Sequence, residues 1–350
     1  MEAASPNDLL LWVAHGNETG DLLGFELDLD SGELDKRHVA HTGASASFLA
    51  FDPSRRVLYV THNRTDRLSA WAAGDPPSRL GEVAVAPSEG EEKAGPAYVS
   101  LEEQHRFVLV ANYRGHNAVV FALDEAGRPG EAVANVSCGR NAHSVVVSPD
   151  GRFVLVPCLG SDRIAQLVLD RQTGALLANQ PEAALTNEGA GPRHLAFHPT
   201  GKLAFVVGEL DAHVYSFRYD AAQGVLARTG RIDSLPAGYA GRRWAADLHV
   251  SPNGRFLYVS NRAHDSLAAF AIDPEDGTLS LLGHESSGGV SPRNFCVHPS
   301  GRFAVVANQD SHNLVTFVLD PTSGRMERVA ETASAEAPYF AGFFPWPDTP

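Results

Sequence analysis

The sequence predicts an all-β protein, a seven-bladed β-propeller built from four-stranded antiparallel blades. Three observations lead to this prediction. One motif recurs at a nearly constant interval, short apolar runs bounded by turn residues make up each repeat, and the two chain ends carry complementary parts of one repeat. No long helical pattern of apolar residues occurs in the 350 residues. We therefore expect a single propeller domain spanning residues 1–350.

The repeat is marked by a turn that usually contains proline. Five of its copies read FDPSRRVLYV, VSPDGRFVLV, FHPTGKLAFV, VSPNGRFLYV and VHPSGRFAVV. The seven equivalent turn positions are Pro53, Glu103, Pro149, Pro199, Pro252, Pro299 and Pro345. They are separated by 50, 46, 50, 53, 47 and 46 residues. A period near 50 residues with several strands per repeat is typical of a propeller blade.

Each repeat contains short apolar segments with the length of strands. In the sixth repeat we predict strands at Asp247–Val250, Phe256–Ser260, Ser266–Ile272 and Leu279–His284. Turns of the Pro-Asn-Gly and Asp-Pro-x-x-Gly type separate segments of this kind. Proline fixes φ and glycine tolerates positive φ, so these turns reverse the chain tightly. The pattern favours antiparallel strands over helices.

The two ends of the chain predict how the ring closes. The N-terminus opens on the pattern of a second strand, Leu10–Ala14, followed by Leu22–Leu29 and Leu34–His41. Tyr339–Phe344 has the pattern of a first strand, and no further strand follows it. We expect this C-terminal strand to complete the N-terminal blade, which would cover the sheet edges that an open ring exposes.

Composition excludes several classes of partner. A net charge of −14 argues against a nucleic-acid or anionic-membrane partner. The three cysteines, Cys138, Cys158 and Cys296, lack metal-ligand spacing and form an odd set, which fits a reducing compartment. The N-terminus lacks a basic region followed by an apolar one, and Leu9–Ala14 is too short to span a bilayer. We expect a soluble cytoplasmic protein without a metal or other cofactor, and the sequence leaves its oligomeric state open.

Two positions of the repeat lie at one end of every blade hairpin. The first precedes the turn residue by six positions and is occupied by Ser47, Ala97, His143, Arg193, Ala246, Arg293 and Tyr339. The second follows it by ten positions and is occupied by Asn63, Tyr113, Leu159, Glu209, Arg262 and Gln309, with Gly16 at the equivalent place in the first blade. Because a hairpin returns the chain to its start, we expect Arg193 and Glu209 to lie at the same end of one blade. Ionisable groups therefore converge on one face around the axis.

Several segments carry a family resemblance. They are His143-Ser144 before VSPDGR, Ser161-Asp162-Arg163, GAGPRH, Glu209-Leu210, and Arg243-Trp244-Ala245-Ala246-Asp247. With them the chain resembles the seven-bladed lactonase family that includes bacterial propeller-type 6-phosphogluconolactonases and fungal carboxy-muconate lactonizing enzymes. The resemblance spans nearly the whole chain. It implies catalytic residues at His143, Arg193, Glu209 and Arg262, which all occupy the two repeat positions.

The resemblance implies hydrolysis of a sugar lactone, 6-phosphogluconolactone, and hence a small anionic substrate. Either His143 or Glu209 would accept the proton of the attacking water. Arg193 and Arg262 would hold the phosphate or face the developing oxyanion, and the sequence does not decide which arginine does which. Further substrate-binding candidates are Arg293, Arg243 and Asn112. We expect Asp247 to cap a loop or to orient Arg243.

Other functions stay open at the level of sequence. A muconate-type lactonizing isomerase would use the same groups to bind carboxylates and move a proton. A non-enzymatic propeller would serve as an interaction platform, although the candidate face concentrates His, Arg and Glu, where such a surface more often carries aromatic and apolar anchors. A metal-dependent lactonase would be inhibited by a chelator. Arg193 and Glu209 would also fit a salt bridge that joins two strand ends.

Overall fold

The protein is a closed ring of seven four-stranded antiparallel sheets. A computed structural model describes residues 9–346 of the chain. Residues 1–8 and 347–350 lie outside this range, and with them the two ends of the predicted 1–350 domain and the N-terminal residues that bear on a leader segment. Residues 9–346 contain no helix with the length and apolarity needed to cross a lipid bilayer. The predicted fold class is confirmed.

The strands are numbered in chain order. Blade 1 contains β1 (Leu9–His15), β2 (Asp21–Leu27) and β3 (Leu34–His41). Blade 2 contains β4 (Ala46–Asp52), β5 (Val57–His62), β6 (Arg67–Ala72) and β7 (Ser78–Ala84). Blade 3 contains β8 (Pro96–Leu101), β9 (Phe107–Asn112), β10 (Asn117–Leu123) and β11 (Pro129–Ser137). Blade 4 contains β12 (Val146–Val147), β13 (Phe153–Cys158), β14 (Arg163–Leu169) and β15 (Leu176–Leu185), with a 3₁₀ turn at Leu159–Ser161.

The remaining blades follow the same order. Blade 5 contains β16 (Pro192–Phe197), β17 (Leu203–Gly208), β18 (His213–Asp220) and β19 (Val225–Asp233). Blade 6 contains β20 (Ala245–Val250), β21 (Phe256–Asn261), β22 (Ser266–Ile272) and β23 (Leu279–Ser286). Blade 7 contains β24 (Pro292–Val297), β25 (Phe303–Asn308), β26 (Asn313–Leu319) and β27 (Met326–Ala333). The last strand, β28 (Pro338–Pro345), returns to blade 1.

The C-terminal strand closes the ring as the sequence predicts. Strand β28 pairs antiparallel with β1, from Leu9 opposite Pro345 to His15 opposite Pro338. It also contacts β24 and β4, the first strands of the two neighbouring blades. The first strands of adjacent blades therefore surround the axis, and β28 supplies the first strand that blade 1 lacks in the chain order.

The core consists of seven apolar clusters, each shared by two adjacent blades. Leu109 of β9 packs with Val156 of β13, for example, between blades 3 and 4. The second strand of blades 2 to 7 is buried at all six residues. A strand covered on both faces needs a continuous apolar run, which explains the VLYV and FVLV segments. The outermost strands, such as β27, are mostly exposed to solvent.

In three blades, an aspartate in the turn between the second and third strands forms hydrogen bonds with the following blade. Asp66, Asp162 and Asp265 all have φ near +50°, a conformation that aspartate tolerates better than most residues. Their carboxylates accept backbone N–H groups of the following blade. The donors are Gly95 for Asp66, Gly189 and Gly191 for Asp162, and Ser291 for Asp265. These bonds order the segments that enter the first strands on the functional face.

We expect Asp162→Ala to lower the free energy of unfolding by about 1–3 kcal/mol. The change removes the acceptor of two N–H groups, each 2.8 Å from a carboxylate oxygen, and Gly191 is buried. Asp162→Asn keeps an acceptor and the tolerance of positive φ, so it should cost less. Urea unfolding followed by circular dichroism measures both. Equal stability of wild type and Asp162→Ala would show that water replaces these bonds.

Candidate active site

The two repeat positions meet in one cavity on the axis. The cavity has a volume of about 290 Å³ and is lined by Asn63, Gly95, Ala97, Tyr113, Arg114, His143, Glu209, Trp244, Arg262 and Arg293. A smaller neighbouring cavity shares Asn63, Ala97, His143 and Arg293 with it and adds Arg193 and Tyr339 among its lining residues. The structure thus brings together His143, Arg193, Glu209, Arg262 and Arg293, which come from blades 4 to 7.

Irregularities in the first strands set the direction of these side chains. In β16 Pro192 pairs with Gly208 and His194 with Val207, so Arg193 is an extra residue without a partner in the ladder. Arg293 is the corresponding extra residue in β24. Bulges of this kind re-aim a side chain and are common beside active sites. Ser47, Ala97 and Tyr339 occupy equivalent irregular positions.

Glu209 binds two arginines at once. Its Oε2 atom lies 3.0 Å from Nε of Arg193 and 2.7 Å from Nη2 of Arg262. Its Oε1 atom accepts the indole N–H of Trp244 at 3.2 Å. The Arg193 and Glu209 side chains therefore do lie at the same end of blade 5, as the hairpin predicts. Because one carboxylate faces two guanidinium groups, this triad carries a net positive charge.

Both arginines are held by further contacts. Arg193 donates from Nη1 to the carbonyl oxygen of Ala246 at 2.7 Å, and Arg262 donates from Nη2 to that of Ala245 at 2.8 Å. The Arg262 guanidinium lies over the Trp244 ring, 3.8 Å from its centroid. Arg193 and Arg262 are only 2% and 4% exposed. Their guanidinium planes are therefore preorganised by the protein itself.

The charges in this group shift one another's pKa. Burial alone would raise the pKa of Glu209, but Arg262 and Arg193 outweigh it and lower that pKa. Burial, reinforced by repulsion from Arg293, lowers the pKa of Arg193 to about 10. Burial, reinforced by repulsion from Arg193, lowers the pKa of Arg262 to about 9. At pH 7 the carboxylate is ionised and both arginines remain cations.

His143 is the buried imidazole of the cavity. Its ring makes edge-to-face contacts with Tyr113 and His194, at centroid distances of 5.5 and 5.2 Å. Nδ1 is buried and has no hydrogen-bond partner among the described residues. Burial lowers the pKa of His143 well below its ordinary value, and repulsion from Arg193 adds to the effect. The ring is therefore neutral at pH 7 and able to accept a proton.

Two predicted substrate-binding residues do not reach the cavity. Arg243 donates from Nε to the carbonyl oxygen of Asp211 at 2.6 Å and pairs with Asp233 at 2.5 Å. Asn112 is fully buried at the end of β9 and donates to the carbonyl oxygen of Ala86 at 3.1 Å. Neither lines the cavity, because both side chains are bonded to residues outside it. Their placement supports structural roles.

Asp247 does not orient Arg243, contrary to one of the two expected roles. Its Oδ1 atom lies 2.6 Å from Nδ1 of His194, and Oδ2 lies 3.1 Å from Nε2 of His249 and accepts the side-chain N–H of Asn294. Burial would raise the pKa of Asp247, but His249 and His194 hold it well below its usual range. Asp247 thus joins the first strands of blades 5, 6 and 7 through one buried carboxylate.

Sequence reasoning missed two side chains of the cavity wall, Trp244 and Arg114, and it did not show that Tyr113, at a second repeat position, contacts His143. Trp244 lies inside the RWAAD segment that carries the family resemblance, and Arg114 directly follows the second repeat position of blade 3. Including the neighbours of these positions would have identified both residues. A repeat alignment marks single positions and does not show how far a neighbouring side chain reaches. Residues 9–346 hold no group of three or more His, Cys, Asp or Glu side chains arranged for a metal ion.

The comparison with known families decides the assignment. The family model described as Lactonase, 7-bladed beta-propeller, matches residues 11–343. The chain belongs to the seven-bladed β-propeller lactonase family. The family resemblance carried by GAGPRH, Glu209-Leu210 and the RWAAD segment is therefore confirmed.

Relatives within this family are similar over most of their length. The 6-phosphogluconolactonase of Pectobacterium atrosepticum is 36% identical over 247 residues, which cover 71% of this chain and 72% of the relative. The 6-phosphogluconolactonase of Photorhabdus laumondii is 31% identical over 298 residues, which cover 84% and 83%. The structure of the Pseudomonas aeruginosa periplasmic gluconolactonase PpgL is 30% identical, with a TM-score of 0.87 over 97% of this chain and 100% of that one.

Proposed function

We propose that this protein hydrolyses 6-phosphogluconolactone to 6-phosphogluconate. One observation carries the proposal. The main cavity and its smaller neighbour bring a neutral buried imidazole, His143, together with an arginine–glutamate–arginine triad in a chain of the lactonase family. Ester hydrolysis needs a base for the water and a cation for the oxyanion, and both are present there. The names of the Pectobacterium and Photorhabdus relatives support this substrate over other lactones.

The local charge of the cavity fits an anionic substrate. Arg114, Arg262 and Arg293 line it, and Glu209 is the carboxylate among its lining residues. The chain as a whole carries −14. A protein of that charge repels an anionic lactone at long range, so the site must reverse the field locally. The excess of guanidinium groups over carboxylates does so.

His143 is the better candidate for the general base. Its imidazole is neutral at pH 7, whereas the Glu209 carboxylate is stabilised in its ionised form by two guanidinium groups and an indole N–H. In the proposed step His143 takes a proton from water as the water oxygen bonds to the lactone carbonyl carbon. The carbonyl π electrons move onto oxygen and form the oxyanion. The positive charge that develops on His143 is stabilised by this new negative charge.

Arg193 and Arg262 are positioned to stabilise the oxyanion. The buried Nε atom of Arg262 has no hydrogen-bond partner among residues 9–346, while Nη atoms of both arginines are fixed on backbone carbonyls. Preorganised donors stabilise developing charge without reorganisation, and one such donor is worth about 10²–10³ in kcat. Collapse of the intermediate breaks the bond from the carbonyl carbon to the ring oxygen. That oxygen takes the proton back from His143.

We further propose that the protein acts in the cytoplasm, in the pentose phosphate pathway, without a nucleic-acid or membrane partner. The three cysteines are buried and unpaired, as expected in a reducing compartment. Cell fractionation with an antibody against the protein tests the location. Recovery in a periplasmic extract would contradict it and would match the periplasmic location of the Pseudomonas gluconolactonase.

A substrate panel tests the function. Purified protein is assayed with 6-phosphogluconolactone, with unphosphorylated glucono-δ-lactone and with a muconolactone, each with and without a chelator. We expect the highest kcat/KM on the phosphorylated sugar lactone and no effect of the chelator. A preference for the muconolactone would identify a lactonizing isomerase, and no turnover of any lactone would favour an interaction platform.

The pH dependence of kcat/KM should follow His143 on the acid side. Activity requires the neutral imidazole. The protein is therefore active at a pH above the pKa of His143 and loses activity as the pH falls through that pKa. Because burial lowers that pKa below its ordinary 6.5, we expect kcat/KM to stay flat from about pH 8 to 6.5 and to fall at lower pH. Glucono-δ-lactone is the suitable substrate, since a phosphate group titrates near pH 6 itself. A midpoint above 6.5 would contradict the assignment.

A further inference from the structure

The four arginines at the cavity differ in how far their charges are already engaged. Arg193 and Arg262 share Glu209, donate to backbone carbonyls and are almost completely buried. A phosphate dianion would have to compete with the carboxylate for both of them. Within residues 9–346, Arg114 and Arg293 have no carboxylate close enough to form an ion pair. These two cations therefore remain for a phosphate group.

Arg114 and Arg293 differ in exposure. Arg114 is an exposed residue that lines the cavity, and water strongly weakens an ion pair at an exposed position. Arg293 is half-buried and lines both the main and the smaller cavity. Burial reduces the competition from water, so Arg293 offers the stronger site for an anion.

The surroundings of Arg293 hold it in place without neutralising it. It is the extra residue of the β24 bulge, which separates its backbone from the regular ladder. Its guanidinium lies over the Tyr339 ring, 4.6 Å from the centroid, and a contact with an aromatic ring does not neutralise the positive charge. Arg293 lines the smaller cavity with His143 and Arg193 and the main cavity with His143 and Arg262. Its repulsion contributes to the lowered pKa of all three groups.

We propose that Arg293 binds the phosphate group of the substrate, while Arg193 and Arg262 serve the reacting carbonyl. This inference rests on the proposed function and deepens it by assigning the phosphate specificity to one residue. A guanidinium fork donates to two phosphate oxygens in parallel, which an ammonium group does not reproduce. Phosphate binding at Arg293 would also reduce the repulsion that Arg293 exerts on the other two arginines and on His143.

The test compares two substrates across matched variants. For Arg293→Gln we expect the ratio of kcat/KM on 6-phosphogluconolactone to kcat/KM on glucono-δ-lactone to fall about 10–100-fold, as for loss of a charged hydrogen-bonded pair. The loss of activity on glucono-δ-lactone should be clearly smaller than the loss on the phosphorylated lactone, although the variant also removes the repulsion that Arg293 exerts on His143, Arg193 and Arg262. Arg293→Lys should give an intermediate ratio. Inorganic phosphate should inhibit wild-type hydrolysis of glucono-δ-lactone competitively and inhibit Arg293→Gln much less.

Arg64→Ala is the charge control. Arg64 holds the repeat position in blade 2 that Arg114 holds in blade 3, is exposed, and is not a lining residue of the cavity. Its replacement removes one positive charge from the same face without changing the cavity wall. The ratio of kcat/KM on 6-phosphogluconolactone to kcat/KM on glucono-δ-lactone should therefore equal that of wild type. Thermal unfolding of each variant verifies folding, and the Lys variant keeps the test valid if Gln does not fold.

The outcomes separate this inference from the proposed function. If wild type prefers the phosphorylated lactone but Arg293→Gln keeps that preference, Arg293 is not the phosphate ligand and the proposed function stands. A larger selective loss in Arg114→Ala or Arg262→Lys would also overturn the assignment. If wild type shows no preference for the phosphorylated substrate, both the function and the phosphate subsite are wrong.

Discussion

Replacing His143 by alanine is expected to lower kcat by about 10²–10⁴-fold on any lactone that the protein hydrolyses, with little change in KM. The reason is that proton transfer to His143 occurs in the transition state and not in the bound ground state. The buried Nδ1 atom has no hydrogen-bond partner to lose and the ring borders an existing cavity, so the free energy of unfolding should fall less than for truncation in a closed core. Steady-state kinetics measures kcat and KM, and a thermal unfolding curve measures the change in stability.

Added imidazole separates a proton-transfer role from a packing role. The alanine variant leaves space beside Tyr113 and His194, and free imidazole should restore part of kcat in proportion to its concentration. His41→Ala is the matched control, because His41 is an exposed histidine of the outer strand β3 whose side chain is 66% exposed. Full activity of His143→Ala without imidazole would remove the general base from this position.

Glu209 should respond differently, although the sequence leaves it as an alternative base to His143. Glu209→Gln keeps the size of the side chain but leaves the buried guanidinium groups of Arg193 and Arg262 without their counter-ion. Breaking a buried pair of this kind costs about 3–5 kcal/mol. We therefore expect a loss of stability together with a loss of activity, while His143→Ala loses mainly activity. A stable, inactive Glu209→Gln with an altered pH profile would instead favour Glu209 as the base.

Deleting residues 338–350 is expected to abolish cooperative folding. The deletion removes β28, and with it the pairing along β1 and the contacts with β24 and β4. Phe340 and Trp346 are both buried, and burial of two such side chains stabilises by roughly 3–6 kcal/mol. A whole domain is stable by only about 5–15 kcal/mol. Circular dichroism during urea unfolding should show no single sharp transition.

A point variant distinguishes ring closure from side-chain packing. Phe343→Ala removes a partly buried aromatic ring of β28 and keeps its backbone pairing with Leu11. We expect unfolding to stay cooperative and the free energy of unfolding to fall by about 2–3 kcal/mol, because part of a buried phenyl group is lost. An unchanged unfolding midpoint in the 338–350 deletion would mean that six blades and the remainder of blade 1 are stable without closure.

Local patterns along the chain were enough to predict the architecture of this protein. Turn residues such as Pro199 and the apolar runs after them act locally, through fixed φ, tolerance of positive φ and burial on both faces of a strand. The period of the turns therefore set the number of blades, and the unequal chain ends implied the pairing of β28 with β1. Equivalent positions of the repeat lie at the same face of the ring. The same alignment therefore placed five charged or titratable residues at one face: His143, Arg193, Glu209, Arg262 and Arg293.

The pairing of these charged groups with one another becomes visible in the folded protein and not in the repeat alignment. Arg193 is re-aimed by a bulge of one residue, and the repeat alignment does not show that bulge. Arg243 and Asp247 stand four residues apart, yet one pairs with Asp233 outside the cavity and the other binds His194 near the axis. Such pairings depend on distances of a few ångströms between residues from different blades. Local sequence patterns specify the strands, and packing between distant blades specifies the charges that face the substrate.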